Sequence, residues 1–388
     1  MADEAERRAR MALSCVVEAG DLRLRDRLRR EGVAGVWEAV RTSQVDDPWV
    51  RRAAVLDLGP IREAARRAGV RFVVPGDAEW PPQMDDLALT EPVQDMGGTP
   101  VGLWVRGHGD LGALAADAVA LVGSRASTAY GDRTATELAA ELAGSGTTVV
   151  SGGAYGIDAA AHRGALAGDG RTLAVLAGGL DELYPRAHTA LLERVAEAGV
   201  LVSEAPPFQP PSRRRFLARN RLIAALCAGV VVVEAGARSG ARNTATWAMT
   251  LNRYLMAVPG PVSSATSYTP HRLIREGEAT LVTSVADIRE MVAPMGECLP
   301  QHQTQPRLLD LLTPEELAVY EALPSRGSRD TGDLALRAGL LVPATLRALE
   351  ALRSRRLVAA APDGCWALGP VQDRPLPSAQ QKGGGGDG

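Results

Sequence analysis

Lysine is almost missing from this 388-residue chain: of its 43 lysines and arginines, only Lys382 is a lysine. A nucleotide-binding P-loop needs a lysine within a Gly-x-x-x-x-Gly-Lys-Ser/Thr motif to reach the phosphates, and no such motif occurs. The sequence also has no cluster of metal-binding histidines and no Gly-x-Ser-x-Gly nucleophile elbow. These absences argue against a P-loop ATPase, and we predict no catalytic residue, no metal and no cofactor.

Cysteines and long apolar runs are also scarce. Cys15, Cys227, Cys298 and Cys365 are far apart and form no Cys-x-x-Cys pair, which argues against a disulfide framework and a zinc site. No uncharged apolar run reaches the ~18 residues that a membrane span requires. Residues 1–12 are charged and lack the apolar segment of a secretory signal. We therefore expect a soluble, cytoplasmic protein that makes no membrane contact.

The overall charge of the chain is close to balanced, with a formal net charge of -3. This value disfavours a uniformly basic nucleic-acid binder but allows a local basic groove, so the distribution of the arginines matters. Because 46% of the residues are hydrophobic, the chain can bury a sizeable core, and its length fits two or three domains.

The first part of the chain is helical in pattern. Helices are predicted at 7–18, 22–31, 36–41 and 50–68. Residues 1–70 therefore predict a small helical module, similar to a SAM or helix-hairpin-helix module. Residues 71–116 are punctuated by proline and glycine and predict an irregular connecting segment.

Apolar, strand-like runs alternate with helical stretches from 117 to 295. The predicted strands cover residues 118–122, 147–151, 172–177, 200–203, 230–234 and 254–258. Each run is short and almost wholly apolar, as in a parallel sheet that is covered on both faces. We therefore predict an α/β domain with an extended, Rossmann-like, doubly wound and mostly parallel sheet.

The last part of the chain predicts a small separate domain. A polar linker at 296–312 precedes residues 313–369, in which three helices and a hairpin predict a winged-helix domain. Thr313 supplies the N-cap of its first helix, Pro314 the first helical position and Glu316 the acid of a capping box. The glycine-rich tail at 370–388 is expected to be disordered.

Glycine-rich loops follow several of the predicted strands. Glycine lets a backbone approach a phosphate, and the free amides of a helix start attract anions. Because the carboxyl ends of parallel strands share one edge of the sheet, these loops should lie side by side. Each loop taken alone fits an ordinary tight turn equally well. The predicted binding residues in these loops are Gly123, Ser124, Arg125, Gly152, Gly153, Tyr155, Gly156, Gly178, Gly179, Arg186, Ser239 and Gly240.

Five arginines and no acidic residue occur in the segment 205–225. A solvated surface normally mixes charges of both signs, and a bland basic surface is the less favoured interpretation. A proline-rich loop leads into a helix here, and Phe208 and Phe216 are interleaved with the arginines, a combination that suits phosphate contact and base stacking. The predicted binding residues of this segment are Arg213, Arg214, Arg215, Arg219, Asn220 and Arg221.

Asp158, His162 and Glu234 are the acid–base candidates of the same domain. Asp158 and His162 are four residues apart on one predicted helix face, which would suit acid–base chemistry. A structural role near the helix start, with Asp158 as a cap or as a partner of His162, is the favoured interpretation. Glu234 ends a predicted strand, and we expect it to orient a loop by accepting amide hydrogen bonds rather than to catalyse a reaction.

Taken in this order, the motifs resemble those of the DprA/Smf family over about residues 117–290. The resemblance rests on Val-Gly-Ser-Arg at 122–125, Gly-Ile-Asp-Ala-Ala-Ala-His at 156–162, Ala-Gly-Gly-Leu-Asp at 177–181, Arg-Asn-Arg-Leu-Ile-Ala-Ala-Leu at 219–226 and Ala-Val-Pro-Gly at 257–260. It implies a homodimer that binds single-stranded DNA and engages the RecA recombinase, with single-strand binding protein as a further partner, in natural transformation and recombination. It also implies that Gly123, Ser124, Arg125, Gly152, Gly156, Arg219, Asn220 and Arg221 form the DNA pocket or its frame.

The chain departs from the family pattern at 153–155, where Gly153-Ala154-Tyr155 stands in place of the usual Leu-Ala-Arg and a charge is lost. An alternative interpretation is a nucleotide-binding enzyme or sensor of related fold, such as a phosphoribohydrolase of the lysine-decarboxylase-like group. That group carries a Pro-Gly-Gly-x-Gly-Thr stretch, which this sequence lacks. A third interpretation is an interaction scaffold whose winged helix binds a protein partner.

Overall fold

The computed structural model describes residues 3–293, 308–361 and 363–369. The chain divides between residues 300 and 301 into two compact units. Within the described ranges, no helix is both long enough and apolar enough to cross a bilayer. The same ranges contain no group of three or more His, Cys, Asp or Glu side chains that could hold a metal ion.

An aspartate starts each helix of the N-terminal module. Helices α1 (Glu4–Val16), α2 (Leu22–Thr42), α3 (Pro48–Ala54) and α4 (Leu58–Arg67) follow Asp3, Asp21, Asp47 and Asp57, whose carboxylates each accept a backbone N–H of the first turn. Gly32, at φ 67°, breaks the helical backbone inside α2, near the turn that the sequence predicts. The single helix predicted at 50–68 is wrong, because the Asp57 cap begins a separate helix.

One sheet forms the centre of the first unit. Its strands are β1 (Val70–Val73), β2 (Leu103–Arg106), β3 (Ala118–Val122), β4 (Thr148–Ser151), β5 (Thr172–Leu176), β6 (Val200–Ser203), β7 (Gly229–Val232), β8 (Tyr254–Ala257) and β9 (Thr280–Leu281). The strand order is β1-β2-β6-β5-β4-β3-β7-β8-β9, and β3 to β9 run parallel. The six predicted strands correspond to β3–β8 with nearly the same ends, which confirms the doubly wound, mostly parallel sheet.

Helices cover both faces of this sheet. They are α5 (Leu111–Ala116), α6 (Ala129–Gly144), α7 (Ile157–Ala167), α8 (Thr189–Ala198), α9 (Arg213–Ala225), α10 (Ala241–Thr250), α11 (Tyr268–Arg275) and α12 (Val285–Val292). In β3, Ala120 belongs to a core that contains Leu222 of α9 and Trp247 of α10. The next residue, Leu121, belongs to a second core with Leu142 of α6. This two-sided burial explains why the strand is apolar throughout.

The structure differs from the prediction over residues 71–116. Instead of an irregular connection, this segment contributes β1, β2, α5 and a 3-10 helix at Pro82–Ala88. β2 pairs antiparallel with β6, and β1 pairs antiparallel with β2. The rings of Phe72 and Trp104 contact each other across these strands, with centroids 4.6 Å apart. The α/β domain therefore begins earlier in the chain than residue 117.

In its described residues, the second unit has three α-helices, a two-stranded antiparallel sheet and a short 3-10 helix at Leu308–Leu311. Its elements are α13 (Pro314–Ala322), α14 (Thr331–Ala338), α15 (Val342–Ser354), β10 (Val358–Ala360) and β11 (Trp366–Leu368). The predicted capping box is present, because Thr313 Oγ1 accepts the Glu316 N–H while Glu316 Oε2 accepts the Thr313 N–H. Most of the predicted linker at 296–312 and the predicted tail at 370–388 lie outside the described residues.

Candidate nucleic-acid interface

The candidate site lies where the order of the strands reverses. The chain runs outward from β3 through β4, β5 and β6, and then returns to β7 on the other side of β3. Val122 and Val232 are register partners at the carboxyl ends of β3 and β7. In open α/β sheets the loops diverge at such a point and leave a crevice in which ligands bind. A cleft of about 750 Å³ occupies this position.

Two strand-end loops form the walls of the cleft. Gly123, Ser124 and Arg125 follow β3, whereas Arg238 and Ser239 belong to the loop after β7, and all of them line the cleft. Arg125 and Arg238 are exposed. The two loops therefore bring guanidinium groups to one opening, where they can pair with phosphate oxygens.

Glu234 joins the loops that follow β3 and β8. Its carboxylate is buried and accepts the Thr128 N–H at 2.8 Å, the Thr128 hydroxyl at 2.7 Å and the Thr266 hydroxyl at 3.0 Å. Its backbone carbonyl accepts the Ser124 N–H at 2.6 Å. These bonds confirm the predicted role of Glu234 in orienting a loop, and they fix the backbone next to Arg125.

The start of α9 forms another wall. Ser212 caps the helix by accepting the Arg215 N–H at 3.3 Å, and Arg213 is the first helical residue. Arg213 and Phe216 line the cleft, and the guanidinium carbon of Arg125 lies 4.6 Å from the centroid of the Phe216 ring. The positive end of the helix dipole adds to the charge of the arginines at this point.

Arg219 and Asp158 lie in the lining of the cleft as a buried pair. Arg219 Nη1 donates to the Val175 carbonyl at 2.7 Å, and Asp158 Oδ2 accepts the Ala154 N–H at 3.3 Å. Burial raises the pKa of the Asp158 carboxyl, and the nearby charge of Arg219 opposes this rise. A Cβ at Gly152 would lie 1.8 Å from Arg219 Nη1, so the glycine makes room for the guanidinium.

His162 takes no part in the cleft. Its Nδ1 is 2.8 Å from the Thr172 hydroxyl, and burial lowers its pKa to about 3. The suggested pairing of His162 with Asp158 is therefore wrong, because His162 bonds to β5 while Asp158 bonds within the loop after β4. Asp158 and His162 therefore do not form an acid–base pair.

A smaller recess adjoins the cleft at the ends of β4 and β5. It shares Arg125, Ala154 and Phe216 with the cleft. Its other lining residues are Gly152, Tyr155, Leu176, Ala177, Gly178, Gly179, Tyr184, Pro185 and Pro211. Apart from Arg125, these residues are uncharged, so the recess is apolar and aromatic where the cleft is cationic.

Comparisons with known proteins agree with this geometry. A family model described as DNA recombination-mediator protein A matches residues 71–293. The chain belongs to this family. It is 47% identical over 309 residues to the putative DNA processing protein DprA of Mycobacterium tuberculosis, covering 79% of each chain. It is also 38% identical over 300 residues to protein Smf of Escherichia coli, covering 75% of this chain and 76% of that one.

A solved structure of the same DNA recombination-mediator family supports the fold. DprA from Streptococcus pneumoniae is similar with a TM-score of 0.61 and 30% sequence identity, covering 75% of this chain and 98% of the other. These findings confirm the family and the α/β fold that the sequence predicts. They also support the general description of a DNA processing protein.

Most of the residues predicted to bind DNA in this family member come together at the edge of the sheet. Those that line the cleft are Gly123, Ser124, Arg125, Arg213, Arg219, Asn220, Ser239 and Gly240. Those that line the adjoining recess are Gly152, Tyr155, Gly178 and Gly179. Their role in binding stays a prediction, but the structure places them around two adjoining openings that share Arg125, Ala154 and Phe216.

Several predicted arginines point elsewhere. Arg221 is buried and donates to Glu204 at 2.7 Å, and Arg215 donates to Glu18 of the N-terminal module at 3.0 Å. Arg186 is exposed and pairs with Glu182. Arg214 is exposed but lines neither opening. The candidate site is therefore not lined by Arg186, Arg214, Arg215 or Arg221.

Gly153 and Gly156 also lie outside both openings. A Cβ at Gly153 would meet Leu176 at 2.9 Å, and one at Gly156 would meet the Ser124 carbonyl at 2.2 Å. Both glycines have positive φ, 68° and 73°. They shape the frame of the site by packing against protein rather than by facing a ligand.

The predicted binding residues did not include Arg238 and Tyr184, two side chains of the lining that suit contact with a nucleic acid. Arg238 lies in the loop after β7, and Tyr184 lies in the loop after β5. Both follow glycine-containing strand ends in the sequence, at the same sheet edge as the predicted residues. An arginine or tyrosine a few residues after such a strand end is the sequence signal that could have identified them.

Proposed function

We propose that the protein binds single-stranded DNA without sequence specificity, with the phosphates in the arginine cleft, and that it hydrolyses no nucleotide. The observation that carries this proposal is the convergence of Arg125, Arg213 and Arg238 at the switch point of the sheet. Arginine forks suit phosphate oxygens, and such contacts position a strand without reading its sequence. The start of α9 supplies further positive potential.

The preference for a single strand is supported by the aromatic side chains beside the arginines. Phe216 lies under Arg125 and lines both openings. A combination of cationic groove and aromatic ring is typical of proteins that bind single strands, because every base has a face that can stack. Bases within a duplex are already stacked and cannot offer that face.

The phosphoribohydrolase alternative requires a carboxylate that is free to reach a substrate. Glu234 is buried and holds Thr128 and Thr266. Asp158 is buried beside Arg219. Neither carboxylate is arranged as a general base for a bound nucleotide. This arrangement favours a binding protein over the enzyme.

A direct experiment compares the two functions. We expect the full chain to bind an oligothymidylate more tightly than a duplex of equal length, and log affinity to fall with log salt at about -0.7 per phosphate neutralised. We expect no release of base from nucleoside monophosphates under the same conditions. Salt-independent binding, a clear preference for duplex, or hydrolysis at a catalytic rate would contradict the proposal.

We further propose, from family membership, that the protein forms a homodimer and promotes RecA loading on strands coated by single-strand binding protein. Such a role would place it in the cytoplasm, in DNA uptake and recombination. Sedimentation at micromolar concentration tests the dimer, and a solely monomeric protein would exclude it. Formation of RecA filaments on coated strands tests the second part, and unchanged filament formation in the presence of the protein would exclude it.

A further inference from the structure

The N-terminal module contacts α9, the helix that brings Arg213 to the cleft. The contact is made by the turn between α1 and α2, residues 17–21, which we call the N-terminal turn. Three residues of α9, Arg215, Ala218 and Arg221, lie against it. Because these residues are three positions apart, they share one side of the helix, and the side chains that line the cleft lie on another.

Glu18 supplies the acid that the arginine-rich start of α9 lacks in its own sequence. Arg215 Nη2 donates to Glu18 Oε1 at 3.0 Å, and Arg215 Nη1 donates to the Pro210 carbonyl at 2.6 Å. Arg52 of α3 lies 3.8 Å from the same carboxylate oxygen. The Arg215 side chain is only 14% exposed, so it is largely withdrawn from any ligand. One guanidinium thus ties the N-terminal turn to the first turn of α9 and to the proline-rich loop before it.

The backbone of Gly20 packs against the following part of α9. A Cβ at Gly20 would lie 3.6 Å from the Ala218 Cβ and 3.5 Å from Arg221 Nε. The Gly20 carbonyl accepts the Gly97 N–H at 3.2 Å, and Ala19 packs against the core that contains Ala218. From Arg215 to Arg221, the N-terminal turn therefore follows α9 for nearly two helical turns.

The charge of Glu18 is unfavourable for a neighbouring phosphate-binding cleft, because a carboxylate repels a phosphate chain. The geometry indicates what the residue does there. Arg215 is two residues from Arg213 and adjacent to Phe216, and both of these line the cleft. Holding Arg215 fixes the first turn of α9 and so the directions of its two lining side chains. Groups that are fixed before binding lose less conformational entropy when a ligand arrives.

We infer that Glu18 is a positioning residue for the cleft, which acts through Arg215 to keep Arg213 and Phe216 directed at the bound strand. In the described part of the chain, neither opening is lined by a residue of the N-terminal module, so the module sets the affinity of a site that it does not itself line. The inference rests on the proposed function, because the affinity concerned is that for single-stranded DNA.

The test is the affinity of Glu18→Gln for an oligothymidylate. Removal of a negative charge beside the cleft should by itself strengthen DNA binding, and an Arg215 freed to meet a phosphate would also steepen the salt dependence. We expect the opposite, an affinity lower by about threefold to tenfold, on the scale of coupling within one ion-pair network. The salt dependence should not become steeper. The direction of the change therefore separates positioning from simple repulsion.

A double-mutant cycle shows whether Glu18 acts through Arg215. Arg215→Gln breaks the same pair from the other side and should weaken binding by a similar factor. The combined Glu18→Gln, Arg215→Gln variant should bind no more weakly than Arg215→Gln alone, because the shared contact is already lost. Two losses that multiply in the combined variant would contradict the inference. If Glu18→Gln does not fold, Arg215→Gln still tests the loss, and unchanged binding by it would contradict the inference.

Glu182→Gln is the matched control. Glu182 follows β5 at the same edge of the sheet and pairs with Arg186. Its replacement removes the same charge but leaves the Glu18–Arg215 pair intact, so it should not weaken binding. Hydrogen–deuterium exchange adds a measurement that needs no DNA. Glu18→Gln should speed the exchange of the amides at 216–219 and leave those of β3 unchanged.

Tighter binding by Glu18→Gln with a steeper salt dependence would overturn the inference, because Arg215 would then be masked from DNA rather than held for it. Unchanged affinity of a Glu18→Gln protein that circular dichroism shows to be folded would overturn the inference alone. Failure of the unmodified protein to bind the oligothymidylate would overturn the proposed function, and the inference with it.

Discussion

At the scale of single residues, the sequence predicted that glycines would lie in the loops at the strand ends, but it did not predict what each glycine makes room for. The sequence places Gly152 and Gly156 at a strand end, where a ligand backbone could approach. In the structure the space beside Gly152 is filled by Arg219, and the space beside Gly156 by the Ser124 carbonyl. Arg219 lies on α9 and Ser124 in the loop after β3, and local sequence patterns carry no information on such contacts.

The close contact at Gly152 gives a prediction about stability. We expect Gly152→Ala to lower the free energy of unfolding by about 1–3 kcal/mol, because its Cβ would lie 1.8 Å from Arg219 Nη1 and overpack the buried pair. Gly240→Ala is the matched control, since a Cβ there meets nothing within 4 Å and the residue has φ -61°. Urea denaturation of both variants checks the prediction, and equal midpoints would refute it.

At the scale of elements, α9 shows why an arginine cluster in the sequence cannot be assigned to one surface. Successive residues of a helix are about 100° apart, so neighbours in the sequence face different surroundings. Arg213 lines the cleft, Arg215 reaches Glu18 and Arg221 is buried against Glu204. The sequence identified α9 as an element that brings an arginine to the cleft. The direction in which each arginine points depends on the packing of α9 against the sheet and the N-terminal module.

Arg221, one of the two buried arginines of α9, should stabilise the fold rather than contact DNA. We expect Arg221→Ala to lower the free energy of unfolding by about 3–5 kcal/mol, because it leaves Glu204 without its buried partner. Arg213→Ala should change stability by less than about 0.5 kcal/mol, since its side chain is exposed. Chemical denaturation of the two variants compares them directly, and a stable Arg221→Ala protein with weakened DNA binding would contradict this assignment.

At the scale of the whole molecule, the alternation of strands and helices predicted the sheet but not its full extent. β3 to β8 are almost wholly apolar runs, and their pattern is visible in the sequence. β1 and β2 each contain an arginine and lie among prolines and glycines, and β9 has only two residues, so the pattern of continuous apolar runs could not reveal them. Their strand character depends on pairing, of β1 with β2, of β2 with β6 and of β9 with β8.

The reversal of strand order between β3 and β7 is likewise a property of the assembled sheet. The sequence predicted that glycine loops would share one edge, and the structure confirms this for the loops after β3, β4, β5 and β7. It did not indicate which two strands would diverge to open the cleft. That position combines Arg125, Arg213 and Arg238 into one site.

The central claim is that this arginine cleft holds the phosphates of a single strand, and its most direct test is the affinity of the Arg125→Ala, Arg213→Ala double variant. If the two contacts add, affinity for an oligothymidylate should fall about 100-fold, with a flatter salt dependence and little change in thermal stability. Arg125→Lys should also weaken binding, because an ammonium lacks the planar fork. Arg163→Ala, which removes an exposed arginine of α7 that lines neither opening, is the control. A folded double variant that binds as tightly as the unmodified protein would place the phosphates elsewhere.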